Sequence, residues 1–178
     1  MVSNYKLMNK EFIKIANCSG FYGDKLSAAK DLVEGGPIDV LTGDYLAELT
    51  MAILFSQKMQ RGEDKGYDGT FLKQINDIAK SCKEKNIKIV SNAGGLNPKS
   101  MADEIEKILR DQSLDMKVAY IDGDDLMSRI PDLTESGETF KNINKNVKLD
   151  DCGHSPLTAN AYLGAWGIKE ALDNGADI

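Results

Sequence analysis

Four times along this chain a short apolar, β-branched stretch runs directly into a turn of Gly, Asn and Asp, and helical spacing follows. The junctions are Phe12-Ile-Lys-Ile-Ala-Asn17-Cys-Ser-Gly-Phe-Tyr-Gly-Asp24, Ile38-Asp-Val-Leu-Thr-Gly-Asp44, Ile87-Lys-Ile-Val-Ser-Asn92-Ala-Gly-Gly-Leu-Asn97 and Val118-Ala-Tyr-Ile-Asp-Gly-Asp-Asp125. Strands separated by helices pair in parallel, so the corners that follow them gather along one edge of the sheet. Ligands of open α/β sheets bind along that edge. The pattern predicts a single three-layer α/β domain over residues 1–178. Its mainly parallel, open sheet has four to five strands with helices on both faces, doubly wound by right-handed crossovers.

Helix signals fill the intervals. Asp24 stands at an N-cap position, with Leu26, Ala29, Leu32 and Val33 at helical spacing up to Gly35-Gly36-Pro37. A second helix is expected from near Asp44, with a stripe of Leu46, Leu49, Ile53 and Leu54. A third spans about Gly69 to Lys85, with Phe71, Leu72, Ile75, Ile78, Ala79 and Cys82 facing inward. Asn97 caps a fourth, with Pro98 at its first position and Met101, Ile105, Ile108 and Leu109 on its apolar face. A fourth strand is expected at about Lys117 to Ile121, followed by a short turn of helix. Residues 131–151 show no clear period and read as a long loop or inserted arm. The last helix is expected over about Leu157 to Asn174. Gly175-Ala-Asp-Ile178 then reads as a cap and the first residues of a fifth strand, as if the chain were the N-terminal part of a longer architecture.

Composition narrows the partners. The net charge is −6 and no Lys/Arg stripe is present, which excludes nucleic acid, because phosphate neutralisation needs clustered cations. Cys18, Cys82 and Cys152 are odd in number and far apart, so neither a disulfide framework nor a cysteine zinc site is indicated. Met1-Val-Ser-Asn-Tyr-Lys-Leu7 has no apolar run of signal length, and no later segment has the length of a membrane span. A reducing cytoplasm is the expected location, with no membrane partner.

The corners supply the candidate chemistry. Gly20 and Gly23 lie in a G-x-x-G turn with Asn17, Ser19 and Asp24. It matches neither the dinucleotide fingerprint nor a P-loop, although such glycines can open backbone N–H groups to an anion. A tight capped turn is the plainer reading. In Thr42-Gly-Asp-Tyr-Leu-Ala-Glu48, Asp44 and Glu48 stand four apart, so a helix beginning near Asp44 would set both on one face as acid and base or as cation ligands. Asp and Glu in a first turn are also ordinary partners of the helix dipole. Asn92, Gly94, Gly95 and Asn97 combine amides with residues that allow close backbone approach, and capping accounts for Asn97 alone. Asp122-Gly-Asp-Asp125 lacks the spacing of an EF-hand and reads first as a helix cap, so no metal is assigned. His154, the single histidine, and Cys18 read as a surface residue and a small buried hydrophobe. A lowered thiol pKa at Cys18 is the reactive alternative. In the Ala159–Trp166 segment, Asn160 and Tyr162 are placed to reach the cleft.

Four segments carry a resemblance. Ser19-Gly-Phe-Tyr-Gly-Asp24, Glu34-Gly-Gly-Pro-Ile-Asp-Val-Leu-Thr-Gly-Asp-Tyr-Leu-Ala-Glu-Leu-Thr50, Ser91-Asn-Ala-Gly-Gly-Leu-Asn-Pro98 and Ala159-Asn-Ala-Tyr-Leu-Gly-Ala-Trp-Gly-Ile168 closely resemble the acyclic terpene utilisation A-type (AtuA-like) family. The resemblance implies catabolism of acyclic terpenoids such as citronellol and geraniol, whose intermediates are acyl-CoA thioesters, and it implies no particular cofactor. Family members usually continue past the helix that ends near Asn174. The expected function is therefore an enzyme, or the N-terminal part of one, acting on a small carboxylate or acyl-CoA intermediate by hydration or carbon–carbon cleavage. Asp44 and Glu48 would be its acid–base pair. Asn17, Ser19, Gly20, Gly23, Thr42, Asn92, Gly94, Gly95, Asn97 and Asn160 would hold the substrate, with backbone N–H groups as an oxyanion site. The rival is a ligand-binding or interaction module whose open sheet edge is covered by a second copy or a further domain. Nucleotide binding is weakened by the lack of either glycine fingerprint.

Overall fold

A computed structural model describes residues 12–178; Met1–Leu7, read above as lacking a signal, lies outside them. The described residues form two compact units, 12–122 with 164–178 and 123–163.

The first unit is an open α/β sheet with strands β1 (Ile15–Asn17), β2 (Val40–Gly43) and β3 (Lys88–Ser91). They pair in parallel in the order β1-β2-β3, with Asn17 opposite Thr42 and Thr42 opposite Val90. Each crossover carries helix: α1 (Ala28–Gly35) between β1 and β2, then α2 (Glu48–Arg61) and α3 (Gly69–Lys85) between β2 and β3. Helix α4 (Pro98–Asp111) follows β3, and α6 (Trp166–Asp173) precedes the last residues. Helix α3 packs against both α1 and α4. The core between them and the sheet holds Val33, Leu41, Ile75, Ile78, Cys82, Ile89, Ile105 and Leu109. Burying an aliphatic side chain of this size contributes about 1.5–3 kcal/mol. The inward faces expected for α3 and α4 are observed, apart from Leu72 and Ile108, which are half-buried. Asp68 caps α3 by accepting from Thr70 N at 2.7 Å, and Asn97 caps α4 by accepting from Ser100 N at 3.2 Å.

Several expectations are corrected. Asp24 does not cap α1, which begins four residues later, and Leu26 stands exposed before it. Leu49, expected on the inner stripe of α2, is 72% exposed; Thr50 and Leu54 are the buried residues there. Residues 117–121 form no assigned strand. Instead the final residues slot beside β3: Ile89 N donates to Asp177 O at 2.9 Å, Asp177 N to Lys117 O at 2.7 Å and Ala119 N to Ile178 O at 2.9 Å. The fifth strand expected at the chain end thus makes ladder bonds on both sides, without the length that would define a strand. The last helix is shorter than expected, since residues 157–165 are not helical.

The second unit contains α5 (Ile130–Glu135), with short 3-10 turns at Met127–Arg129 and Leu149–Asp151, so the stretch read as loop is partly helical. An antiparallel bridge between Asp125 and Asn160 closes its base. No residue of 123–163 is buried. Among the described residues, no helix is long and apolar enough to cross a membrane.

Candidate functional site at the strand ends

The corners after β1, β2 and β3 converge because the register of the parallel sheet brings Asn17, Thr42 and Val90 level across it. Hydrogen bonds then stitch corner to corner. Cys18 N donates to Thr42 O at 2.8 Å and Asp44 N to Ser19 O at 3.0 Å. The Ser91 hydroxyl donates to Gly43 O at 3.0 Å and accepts from Ala93 N at 3.1 Å. Tyr45 N donates to Asn92 Oδ1 at 2.9 Å, which turns the Asn92 amide so that Nδ2 donates to Asp44 Oδ1 at 2.7 Å. The Thr42 hydroxyl donates to Ala16 O and Asn17 Oδ1, both at 3.3 Å, and Asn17 Nδ2 donates to Ser19 O at 2.9 Å. Asn17, Ser19, Thr42, Asp44 and Asn92 therefore share one rim. Asp44 and Asn92 are exposed there, and Ser19 is buried with its hydroxyl on Phe21 O at 3.0 Å.

Beneath this rim lies a layer that the motifs did not disclose. Tyr45 is buried, its ring edge-on to Phe71 with centroids 5.7 Å apart. Its hydroxyl donates to Gln74 Oε1 and lies 3.6 Å from Cys18 Sγ. Burial pushes the Tyr45 phenol far above its ordinary range, and the neighbouring thiol adds to the effect. Burial also raises the Cys18 thiol, so the activated reading is reversed and Cys18 is a buried hydrophobe. Asp68 is fully buried: its N–H donates to Ala93 O at 2.9 Å, while Oδ2 has no hydrogen-bond partner among the described residues. Asp68, absent from the sequence reading, carries a local signal, because an Asp just ahead of a helical stretch is a favoured cap; the meeting of Tyr45 with Gln74 spans 29 residues and carries none. Tyr45→Phe keeps the ring but leaves Gln74 Oε1 without its donor, so it should cost about 1–2 kcal/mol. Urea unfolding of the two proteins measures this, and equal midpoints would show that the hydroxyl contributes nothing.

The rim also departs from the sequence reading. Helix α2 begins at Glu48, with Ala47 extended before it, so Asp44 lies in the loop and does not share a helical face with Glu48. Both carboxylates are exposed. The turn of Gly20 and Gly23 is not an open anion nest, because Asp24 fills it. Its carboxylate accepts from Gly20 N at 3.0 Å and Lys25 N at 2.7 Å, and these two donors hold it below the usual carboxylate range. Gly94 and Gly95 are packed against protein: a Cβ on Gly94 would lie 2.7 Å from Pro98 Cβ, and one on Gly95 2.4 Å from Leu54 Cδ1. Asn97 is engaged at both ends of its amide, donating to Glu63 O at 2.9 Å and Lys65 O at 3.3 Å while it caps α4. Backbone donors expected to form an oxyanion site are largely committed within the corners, with Gly95 N on Asn92 O and Asn97 N on Gly94 O. Asn160 belongs to the second unit, where its Nδ2 donates to Asp124 Oδ2 at 3.0 Å. His154 and Tyr162 are exposed, and Asp125 accepts from Met127 N at 2.8 Å in the turn before the 3-10 segment, whose cap position is Leu126 without a side-chain bond, so the cap expected of this acidic turn is not formed. Among the described residues, no group of three or more His, Cys, Asp or Glu could hold a metal ion.

Residues 13–178 match the family model described as acyclic terpene utilisation family protein AtuA. No curated protein and no solved structure matches the chain.

Proposed function

The chain belongs to the acyclic terpene utilisation family, and from that premise we propose an enzyme acting on a small carboxylate or acyl-CoA intermediate of acyclic terpenoid catabolism. Its chemistry is acid–base, of the hydration or carbon–carbon lyase type. The observation that supports this reading most is the rim itself, where Asp44 and the amides of Asn17 and Asn92 are held at the ends of three parallel strands. An amide NH2 has two N–H donors. The bonds to Ser19 O and Asp44 Oδ1 use one donor on Asn17 and one on Asn92. The second donor of each is the group we assign to a substrate oxygen. Asp44 is the base; it is exposed, and its Oδ1 accepts from Asn92 Nδ2 at 2.7 Å and Leu46 N at 3.4 Å. Glu48, the first residue of α2, is the second carboxylate and acts from outside the rim.

Asp44→Asn keeps the loop shape and removes the base. Turnover should fall by about a hundredfold or more, with little change in melting temperature because Asp44 is exposed. The assay is steady-state turnover of short acyl-CoA thioesters alongside thermal unfolding. Full activity in the Asn variant would sink the acid–base role. One observation favours a second reading, a ligand-binding module: Asp44 and Glu48 are both open to solvent and not paired on one face. In that case CoA thioesters raise the melting temperature of wild type and Asp44→Asn alike, and neither protein consumes them.

A further inference from the structure

Residues 123–163 form a unit without a single buried side chain, so no core locks its conformation. Its two ends are nevertheless fastened to each other. Leu126 N donates to Ala159 O at 2.7 Å and Ala161 N to Asp124 O at 2.8 Å, and the Asn160 amide adds its bond to Asp124 Oδ2 at 3.0 Å. The acidic turn and the Ala159–Tyr162 segment, which the proposed chemistry leaves unused, thus build a closed neck. The chain passes between the units only twice, and a glycine stands at each passage: Gly123 with φ +100° and Gly164 with φ +71°. A Cβ on Gly123 would meet nothing within 4 Å, and one on Gly164 would meet only Trp166 Cδ1 at 4.0 Å. Room for packing is therefore not what these positions need. They need backbone conformations that residues with a side chain rarely adopt.

We propose that residues 123–163 are a hinged arm that reorients as one piece about Gly123 and Gly164, with the Asp124–Asn160 neck keeping its ends together. A hinge needs a few residues that absorb changes in φ and ψ. A glycine at both crossings, beside a neck whose three hydrogen bonds hold its ends together, gives the change two adjacent points at which to occur. The inference is independent of the chemistry proposed for the rim.

The native cysteines provide the test. Cys152 is exposed in the arm, while Cys18 and Cys82 are buried. In the full chain carrying Lys80→Cys, an exposed position on α3, spin labels on residues 80 and 152 report the distance between the arm and the sheet unit. Pulsed electron resonance should show a broad or two-component distribution. The double variant Gly123→Ala with Gly164→Ala should change the weights of its components. Gly137→Ala makes the same kind of change inside the arm, at φ +103° with nothing within 4 Å, and should leave the weights as they were. A single narrow distance in the parent protein overturns the proposal, even if the glycine variants fail to fold. So does a response to Gly137→Ala equal to that of the double variant.

Discussion

Gly95→Ala should destabilise the protein by about 3 kcal/mol or more, the largest loss expected from adding one methyl group anywhere at the rim. Two costs combine. At φ +52° an alanine is left-handed, which costs roughly 1–2 kcal/mol. Its Cβ would also lie 2.4 Å from Leu54 Cδ1 and 2.8 Å from Gly66 O. Leu54 is fully buried and cannot swing aside, and Gly66 O is backbone held by Leu96 N at 2.7 Å. Overpacking of this kind adds about 1–3 kcal/mol. Gly23→Ala separates the two costs: Gly23 has φ +84° but nothing within 4 Å of a Cβ, so only the conformational part should appear. Urea unfolding of both variants by circular dichroism is the measurement. Equal losses would mean that the contact with Leu54 and Gly66 is not a constraint. Because Gly95 and Asn92 share the turn that fixes the Asp44 carboxylate, Gly95→Ala should also loosen the rim.

That a methyl group could matter there was half legible in the sequence. A Gly pair after a strand announces close approach, but the sequence does not say to what, and the partner turned out to be the α2 and Gly66 backbone region of the protein itself. The same division runs through the fold. Helices α3 and α4 were readable because each carries its own periodic stripe, and α4 its own start signals in Asn97 and Pro98, all within one turn or a few. The convergence of the three corners was readable too, since alternating strands and helices constrain where the strand ends go. Two helix starts were not. Asp24 looks like a cap but closes back on Gly20 in a local turn, and Asp44 looks like a helix start but is held by Asn92, 48 residues away. Only for Asp44 was local capping propensity outweighed by a hydrogen bond that exists only after folding. The 117–121 segment forms no strand, and its ladder bonds run to Asp177 and Ile178, some 60 residues on, where no local pattern could register them.

Lys88→Met should cost about 3 kcal/mol at neutral pH, and the loss should shrink on acidification. From sequence Lys88 is one charged residue in an alternating strand, yet its side chain is only 4% exposed. Its Nζ donates to Ala176 O at 2.8 Å and Asp177 Oδ1 at 2.7 Å, while Asp177 Oδ2 accepts from Lys117 N at 2.9 Å. Removing one partner of a buried pair leaves the other without compensation, at about 3–5 kcal/mol, and the partial exposure of Asp177 puts this case at the low end. The pH dependence follows from the carboxylate. Burial alone would raise Asp177, but the Lys88 ammonium and the Lys117 N–H outweigh it and hold it below its ordinary value. A folded-state pKa below the unfolded one, near 3.9, means that the carboxylate stabilises the wild type above that pH and loses this contribution as pH falls through the lower, folded value. In Lys88→Met burial keeps its upward pull while the ammonium is gone. The depression is reduced or inverted, and the variant gains nothing comparable from ionisation. The gap between the two proteins should therefore be widest at pH 6–7 and narrow toward pH 3. Asp177→Asn, which keeps an oxygen for Lys88, should lose less than Lys88→Met at pH 7. Denaturant titrations at pH 3, 4, 5 and 7 decide the matter, and a gap that stays constant across them would show that the ion pair is not what pins the chain end to β3.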